Sequence, residues 1–420
     1  SYVKLEGDAI TFGGEGATVN GSVVTITSAG TYRISGTLND GQIIVNTQDE
    51  ETVYLVLDGV DITSSTSAPI YVSNAEKTVI TLADGSDNTV TDGAAYVFED
   101  ATSDEPNAAV SSKDDLTVNG SGSLTVNANY NSGITSKDDL KITGGELTVN
   151  AVNDGIKGRD SIAVLDGAIT VYAGGDGLQS NNDEDAEKGI IAIEGGTLDI
   201  TAGLDGIQAQ TSLLVGGGSI SITSGGSGSV DSAKGLKAGV NVTIEGGTIE
   251  IRAVDDAIHS NDSIVINGGE ILVASADDGI HADTSLEING GYLTVAQSYE
   301  GIESTAITIN DGSLYLVASD DGINAASGGG GAWGPGASDS SLLINGGCIF
   351  VDAGRDCIDV NGQGTMNEGV VILNGSAVGD NPSLDVDGML EMNGGFLVGV
   401  GSITMVQSPS AASTQYSVLE

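Results

Sequence analysis

Basic residues are scarce in this chain of 420 residues: 13 Lys and Arg stand against 59 Asp and Glu, giving a net charge of −46. Such a chain has no basic stripe that neutralises phosphate groups, so nucleic acid is excluded as a partner. The same charge disfavours anionic membrane surfaces and requires a cation between the protein and any acidic polymer. No apolar run reaches the length of a membrane span, which argues against membrane insertion.

Cysteine, proline and tryptophan are also rare, with 2, 5 and 1 residues. The cysteines, Cys348 and Cys357, are candidates for a disulfide, but one pair establishes neither the bond nor a cellular compartment. Collagen is excluded because the 64 glycines follow no three-residue period. No secretory leader stands at Ser1, so we expect either an intracellular protein or one whose leader has been removed.

An internal repeat of about 22 residues runs through most of the chain. It is marked by the phrase Asp-Gly-Ile and its variants, and the Ile or Leu of that phrase serves as the anchor of each repeat. Most neighbouring anchors are 21 or 22 residues apart, and three longer spacings mark insertions. The anchors are Ile134, Ile156, Leu178, Ile207, Leu236, Ile258, Ile280, Ile302, Ile323 and Ile358.

Each repeat contains three short apolar pieces. Ile264 and Ile266 alternate with polar neighbours, Ile271 and Val273 do the same, and Ile280 opens the third piece. Alternation of this kind, punctuated by Gly-Gly or Asp-Gly, predicts a strand, a turn and a second strand. Three strands in 22 residues predict an all-β fold, a single-stranded parallel β-helix in which each strand pairs with its counterpart one repeat away.

We expect a single β-helix domain over residues 1–420. Residues 1–110 carry looser strand signals and predict irregular amino-terminal coils, whereas residues 111–388 predict regular coils with insertions. The pattern breaks at Met389. Residues 389–420 are therefore expected to form a carboxyl-terminal cap that protects the open edge of the sheet.

Stacked repeats would bring acidic residues into a column, because eight of nine repeats carry a carboxylate two positions before the anchor. Like charges this close repel, so several must protonate or share a cation, and Asp-rich bends offer the oxygen ligands that Ca²⁺ prefers. A solvated Asp-Gly turn is the alternative. The predicted calcium ligands are Asp255, Asp256, Asp277, Asp278, Glu300, Glu303, Asp320, Asp321, Asn324, Asp356 and Asp359.

Three further features are candidates for structure or binding. His259 and His281 lie one repeat apart and should stack as a simple ladder on one outward face, where they are candidate substrate-binding residues. A transition-metal site and acid–base chemistry are the alternatives. Trp333 lies in a glycine-rich insertion and is expected either to stack on a sugar or to pack against the protein. A structural ladder of stacked amides is predicted for Asn267, Asn289, Asn310, Asn345, Asn374 and Asn393.

The phrases of the repeat resemble a family of secreted bacterial carbohydrate-binding β-helix proteins. Asp277–Ile280 and Asp320–Ile323 read Asp-Asp-Gly-Ile and precede Ile-Asn-Gly-Gly phrases, and Gly30–Leu38 and Val56–Ile62 fit the same family. The resemblance covers nearly the whole chain. It implies a right-handed parallel β-helix like that of pectate and other polysaccharide lyases, bound calcium, and a place outside the cell or at its surface. It also implies binding of plant cell-wall polysaccharide, either cellulose or acidic galacturonans of the pectin type.

The calcium-dependent lyases that this family is similar to hold calcium with an Asp-Asp-Gly-x-Asp type of cluster. The nearest matches in this chain are Glu300–Glu303, Asp320–Asn324 and Asp356–Asp359, and each departs from that pattern by a residue. The resemblance therefore implies a calcium site in this region.

Elimination from a uronide needs a strong base beside the metal. Beyond Lys237 the chain has two arginines, and one of them, Arg355, is expected to pair with its neighbour Asp356. Bases and carboxylates coincide elsewhere, around Asp154, Lys157, Arg159 and Asp176. We favour a calcium-dependent polysaccharide-binding protein that is not an enzyme. A calcium-dependent polysaccharide lyase and a passive surface stalk or adhesin are the alternatives.

Overall fold

The computed structural model describes residues 1–98, 100, 102–226, 232–327, 339–377, 379 and 381–418. The chain divides into two compact units, Ser1–Thr211 and Ser212–Glu420. The predicted all-β class is confirmed, because the described residues form strands, turns and bends and contain no helix. Within those residues, accordingly, no helix is long and apolar enough to cross a membrane. The single domain over residues 1–420 stays a prediction.

The first unit consists of short strands joined by tight bends. Their bounds are β1 (Tyr2–Gly7), β2 (Ile10–Gly13), β3 (Ala17–Asn20), β4 (Val23–Ile26), β5 (Gly30–Leu38), β6 (Gln42–Asn46), β7 (Val53–Ser64), β8 (Ile70–Asn74), β9 (Lys77–Leu82), β10 (Asp87–Asp92), β11 (Ala108–Ser112), β12 (Asp115–Gly120), β13 (Ser123–Ala128), β14 (Ser132–Ser136), β15 (Asp139–Ala151), β16 (Ile156–Gly158), β17 (Ser161–Ala173), β18 (Leu178–Ser180), β19 (Ile190–Ile193), β20 (Thr197–Ala202) and β21 (Ile207–Ala209).

The second unit repeats the same pattern of a short strand at the anchor followed by two longer ones. Its strands are β22 (Ser212–Val215), β23 (Ser219–Ser224), β24 (Leu236–Ala238), β25 (Asn241–Ile244), β26 (Thr248–Ala253), β27 (Ile258–Ser260), β28 (Ser263–Ile266), β29 (Glu270–Ser275), β30 (Ile280–Ile288), β31 (Tyr292–Gln297), β32 (Ile302–Ile309), β33 (Ser313–Ala318), β34 (Ile323–Ala325), β35 (Ser341–Ile344), β36 (Cys348–Ala353), β37 (Ile358–Val360), β38 (Gln363–Met366), β39 (Val370–Asn374), β40 (Leu384–Val386), β41 (Leu390–Met392) and β42 (Phe396–Val400).

The anchors of successive repeats pair with one another in parallel, as the spacing predicts. In the first unit Ile134 pairs with Ile156 and Ile156 pairs with Leu178. In the second unit Ile258 pairs with Ile280 and Ile280 with Ile302. All of these anchors are fully buried. Each core is therefore built from columns of aliphatic side chains, which explains how a chain with few aromatic residues buries enough apolar surface.

The backbone conformation explains why the repeats carry a Gly-Gly phrase. Gly269 closes the turn between β28 and β29 with a φ of +101°, a conformation that side chains with a Cβ rarely adopt. A Cβ at this position would also lie 3.1–3.4 Å from the backbone of the preceding repeat, with Gly247 O at 3.1 Å. The turn therefore needs glycine both for its conformation and for the close approach of the stacked chains.

The ends of the chain differ from the expected pattern. Strands β1 and β2 pair antiparallel, as do β3 and β4, because short turns connect each pair. The coils predicted for residues 1–110 thus include hairpins before parallel pairing with β5 to β9 takes over. At the other end, β41 and β42 pair in parallel with β38 and β39. The ladder therefore continues to Val400, past the predicted start of the cap at Met389.

A ladder of stacked amides lies outside the core, as the asparagine pattern predicts. Asn289 Nδ2 donates to Asn267 Oδ1 at 2.8 Å, and Asn310 Nδ2 donates to Asn289 Oδ1 at 2.7 Å. Asn374 is not a member: Asn367 occupies that position, and Asn374 donates to Asp352 instead. The sequence misleads here because Asn374-Gly375 follows the second strand, whereas Asn367 follows the first.

The two cysteines are free thiols in this structure. Cys348 is exposed and Cys357 is buried. Burial is the main cause that raises the pKa of the Cys357 thiol to about 12, so this thiol is protonated and packs as a small apolar residue.

Candidate functional site

In each unit two columns of side chains flank the buried anchors. The first, named the acidic column, consists of the residues two positions before each anchor: Asp154, Asp176 and Asp205 in the first unit, and Lys234, Asp256, Asp278, Glu300, Asp321 and Asp356 in the second. The second, named the partner column, consists of the residues one position after each anchor: Lys157, Gln179 and Gln208 in the first unit, and Lys237, His259, His281, Glu303, Asn324 and Asp359 in the second. Because the anchors point inward and neighbouring residues alternate, the partner column faces away from the core.

One oxygen of most acidic-column carboxylates has a structural role. Asp256 Oδ1 accepts the backbone N–H of Asp278 at 3.2 Å, and Asp278 Oδ1 accepts that of Glu300 at 3.3 Å. Asp321 Oδ1 accepts the N–H of Asp356 at 3.0 Å in the same way. Each of these three carboxylates therefore satisfies a backbone N–H at a bend in the next repeat, and its second oxygen is left to face the partner column.

Around Asp256 the partner column and its neighbours supply positive charge. His259 Nδ1 lies 2.7 Å from Asp256 Oδ2, and Lys234 Nζ lies 3.2 Å from the same oxygen. Burial alone would raise the pKa of Asp256, but the hydrogen bond to His259 and the charge of Lys234 hold it below its ordinary value. Lys234 also pairs with Asp255. Asp255 and Asp256 are therefore paired with a cation of the chain itself.

The two histidines lie one above the other on the outward face, as predicted, with ring centroids 5.1 Å apart and planes at 71°. Their side chains are only 12 % and 26 % exposed, because carboxylates surround them. His281 Nδ1 lies 3.2 Å from Asp278 Oδ2, and its Nε2 lies 3.4 Å from Asp283 Oδ1. The hydrogen bond to Asp278 is the main cause that raises the pKa of His281 to about 9, so this ring is an imidazolium at neutral pH.

One repeat further on, the partner column changes from cations to acids and amides. Glu303, Asn324 and Asp359 stand where His259 and His281 stood in earlier repeats. Since the acidic column continues unchanged, negative charge accumulates. We name the resulting group the carboxylate cluster, which consists of Glu300, Glu303, Asp320, Asp321, Asn324, Asp356 and Asp359.

Oxygen atoms of the carboxylate cluster converge at distances that suit a cation. One set comprises Glu300, Asp320 and Asp321, a second comprises Asp321, Asp356 and Asp359, and the ligand atoms of each set lie within 4.8 Å of one another. Ca²⁺ binds oxygen at 2.3–2.6 Å, so oxygens on opposite sides of the ion lie about 5 Å apart. The predicted ligands Asp255, Asp256 and Asp277 meet the same criterion, and Lys234 forms ion pairs with the first two.

Two buried oxygens in the carboxylate cluster have no hydrogen-bond partner. They are Asn324 Oδ1 and Asp356 Oδ1, on side chains of residues that are 8 % and 9 % exposed. The amide of Asn324 donates to Glu300 Oε2 at 2.7 Å, which fixes its orientation and leaves its oxygen free. Buried polar atoms without partners are rare because each costs about 1–3 kcal/mol. Their presence beside converging carboxylates fits a bound cation.

The pKa values of the carboxylate cluster reflect its excess of negative charge. Burial raises the pKa of Asp321 to about 6 and those of Asp356 and Asp359 to about 7, with repulsion from neighbouring carboxylates adding to the effect. Burial and nearby carboxylates also raise the pKa values of Glu300 and Glu303. These groups resist losing their protons unless positive charge is added.

Two residues near the cluster differ from what the sequence predicts or reveals. Arg355 pairs with Asp320, at 2.6 Å between Nε and Oδ1, and not with its sequence neighbour Asp356. Asp385 pairs in register with Asp359 and helps to raise its pKa. The phrase Leu384-Asp385-Val386 has the form of Ile358-Asp359-Val360, so a search for anchors without the Asp-Gly phrase would have found it.

Aromatic residues are the second class of candidate contacts. Trp333 lies outside the described residues. In the second unit the rings of Tyr315 and Phe350 stack in parallel, with centroids 5.0 Å apart and planes 5° apart. Tyr315 is 46 % exposed and Tyr292, one repeat earlier on the same sheet, is 70 % exposed. Exposed aromatic rings of this kind offer apolar surface with a polar tip.

Fold and site together define an all-β repeat protein whose second unit carries a cluster of buried and half-buried carboxylates. A family model described as carbohydrate-binding domain-containing protein matches residues 20–279 of this chain. The match extends over more than half of the 420 residues, so the chain belongs to that family of carbohydrate-binding proteins.

Two similar proteins extend this result. A relative from Acetivibrio thermocellus, also described as a carbohydrate-binding domain-containing protein, is 54 % identical over 137 residues. The match covers 33 % of this chain and 48 % of the relative, so the chain spans about half the length of that protein. A solved structure described as a polysaccharide lyase-like protein from C. thermocellum, in a gadolinium derivative, is 42 % identical with a TM-score of 0.53. That match covers 60 % of this chain and 96 % of the solved one.

Proposed function

We propose that this protein binds plant cell-wall polysaccharide through calcium held by the carboxylate cluster. The observation that carries the calcium proposal is the change in the partner column, where Glu303, Asn324 and Asp359 stand in place of the histidines of the two preceding repeats. The free buried oxygens Asn324 Oδ1 and Asp356 Oδ1 support it, since oxygen ligands in an acidic bend are what Ca²⁺ prefers. The gadolinium derivative of the lyase-like relative is consistent, because lanthanide ions also prefer oxygen ligands.

The ligand follows from family membership and charge. Carbohydrate binding belongs to the family, and a chain of net charge −46 repels an acidic polymer unless a cation lies between them. Bound calcium with open coordination positions would supply that link to the carboxylates of a polygalacturonate chain. Exposed tyrosines such as Tyr292 and Tyr315 suit contact with the neutral sugars of cellulose. Because such polymers lie outside cells, we also propose an extracellular or cell-surface location.

Binding to polygalacturonate and to insoluble cellulose, each measured with calcium and with chelator, tests this function. We expect polygalacturonate retention to fall in chelator and to fall in the Asp359→Asn variant at limiting calcium. The matched control is Glu270→Gln, which removes one charge from an exposed position in the same unit. Calcium content of the purified protein, measured by mass spectrometry, completes the test. Absence of bound calcium together with chelator-insensitive retention would contradict the proposal.

A calcium-dependent lyase remains the alternative because bases and carboxylates do meet in the first unit. Lys157 Nζ lies 3.5 Å from Asp154 Oδ2, and burial with repulsion from Asp205 and Asp154 raises the pKa of Asp176 to about 6. If the chain catalyses elimination, unsaturated uronide absorbance will appear with polygalacturonate and calcium. If neither polysaccharide is retained, the passive stalk is favoured.

We further propose that the strands of each unit wind as a right-handed, single-stranded β-helix. Parallel pairing between consecutive repeats supports this, as between Ile280 and Ile302, because a connection between parallel strands of one sheet is nearly always right-handed. Experimental electron density for either unit tests the handedness directly, and a left-handed trace would refute it.

A further inference from the structure

A cleft of about 230 Å³ lies in the first unit, away from the carboxylate cluster in sequence. Its lining contains three cationic side chains and no carboxylate: Asn107, Thr135, Ser136, Lys137, Lys157, Arg159 and Asn181. In a chain with 13 basic against 59 acidic residues, a cleft with this lining is unexpected. It also lies within residues 20–279, the segment that matches the carbohydrate-binding family.

The repeat register accounts for the grouping of these cations. Thr135 pairs with Lys157, one position after their anchors, and Lys137 and Arg159 each lie three positions after an anchor. Side chains at matching positions of consecutive repeats lie about 4.8 Å apart, one strand spacing. The cleft therefore presents two rows of polar and cationic groups at a regular interval, a spacing comparable to that of sugar units in an extended chain.

The acids that pair with these cations come from the margins of the cleft. Glu105 pairs with Lys137, and Asp154 Oδ2 lies 3.5 Å from Lys157 Nζ. Arg159 has two acidic neighbours: Glu184 Oε2 lies 2.5 Å from its Nη2, and Asp160 Oδ1 lies 3.9 Å from its Nη1. The side chain of Glu184 is 76 % exposed, and an ion pair in such a position contributes little to stability because water screens it. A carboxylate from a ligand can therefore replace Glu184 at small cost.

We propose that this cleft binds the carboxylate of an acidic sugar directly, without calcium, and that Glu184 occupies the place of that carboxylate when no ligand is bound. The planar guanidinium of Arg159 is suited to hold a carboxylate through two parallel hydrogen bonds. Lys137 and Lys157 add charge, and the amides of Asn107 and Asn181 are placed to bond sugar hydroxyls. The proposal rests on the carbohydrate-binding function but is independent of its calcium site.

Calorimetric titration of the full chain with trigalacturonate in chelator and low salt tests the inference. We expect Arg159→Gln to weaken binding about tenfold or more, as loss of a hydrogen bond between charged groups implies. Removal of the internal competitor in Glu184→Gln should instead strengthen binding, by about threefold. Lys141→Gln is the control, because Lys141 is an exposed cation of β15 outside the cleft lining. Methyl-esterified trigalacturonate, which lacks the charge, should bind at least about tenfold more weakly.

Several results would overturn the inference. Binding of trigalacturonate that requires calcium would refute the direct carboxylate site and leave the proposed calcium-dependent function intact. Binding that persists in chelator and does not change with calcium would instead support the direct site and contradict calcium-dependent binding. Weaker binding in Glu184→Gln, in a variant whose melting temperature is unchanged, would refute the role of Glu184 as a competitor. Inorganic sulfate that competes as well as trigalacturonate at equal concentration would refute recognition of a sugar.

Discussion

Asp359→Asn should stabilise the protein in the absence of calcium and should stabilise it less when calcium is bound. Asp359 lies in β37 and pairs in register with Asn324 of the preceding repeat. Asparagine is thus already tolerated one repeat away at the equivalent position. The substitution removes one negative charge from the carboxylate cluster and changes the side-chain volume very little.

The magnitude follows from the pKa of Asp359, which burial and neighbouring carboxylates raise from 3.8 to about 7. Each pKa unit corresponds to about 1.4 kcal/mol, so holding Asp359 ionised at pH 8 costs at most about 4 kcal/mol. The remaining carboxylates share that cost and relax when one charge is removed, so we expect a net gain of about 2 kcal/mol. For a unit of this size the gain corresponds to a rise in melting temperature of about 4–8 °C.

Differential scanning calorimetry at pH 8 measures this effect in chelator and in calcium. In chelator the Asp359→Asn protein should melt at a higher temperature than the native chain. In calcium the rise in melting temperature should be smaller, because the variant has lost one calcium ligand. If that loss weakens calcium binding tenfold, it removes about 1.4 kcal/mol of calcium-linked stability. The exposed control Glu270→Gln should show neither change.

The prediction fails if Asp359→Asn melts at a lower temperature in chelator. Such a result would mean that Asp359 stabilises the cation-free fold through hydrogen bonds and is not held there against repulsion. An unchanged gain from calcium would equally refute the role of Asp359 as a ligand.

Three other predictions follow from the electrostatics and the hydrogen bonds. The free energy of unfolding of the calcium-free protein, measured by denaturation curves, should fall as the pH rises from about 4 to 7. The reason is that the raised pKa values keep protons on Asp321, Asp356 and Asp359 in the folded protein that the unfolded chain has already lost. Saturating calcium should make the free energy of unfolding depend less steeply on pH. The His281 ring should remain protonated at pH 8 in an NMR titration assigned with a variant at the other histidine, and a pKa near 6.5 would contradict its ion pair with Asp278. Asn289→Ala should lower the free energy of unfolding by about 1–3 kcal/mol, since it removes two amide hydrogen bonds of the ladder. If the loss is no larger than that caused by replacing an exposed residue outside the ladder with alanine, the ladder contributes little to stability.

The sequence alone predicts the all-β class, the repeat and the pairing of anchors. A strand that must bury one face every 22 residues can satisfy its backbone and its core only by pairing with its own counterpart, so the period fixes the register. This is why Ile258, Ile280 and Ile302 stack as predicted. The same logic correctly brings Glu300, Asp321 and Asp356 into one column.

Only the tertiary structure decides which of the stacked charges lack a partner. Asp256 and Asp321 occupy equivalent positions in the repeat, yet the first forms an ion pair with Lys234 and a hydrogen bond with His259, whereas the second lies among carboxylates. The difference depends on burial and on side chains that cross the bend, and the period of the sequence specifies neither. Arg355 illustrates the same point, because it bonds Asp320 across a repeat rather than its neighbour.

The cationic cleft depends still more on the folded chain. Arg159 and Lys137 are 22 residues apart, and Glu184 comes from a later loop, so no local sequence motif predicts that these side chains lie close together. Stacking makes neighbours of residues one repeat apart, whereas loops of irregular length bring in groups that the period does not predict. The sequence therefore determines the framework and its columns of charge, and the path of the backbone determines where those charges are free to bind a ligand.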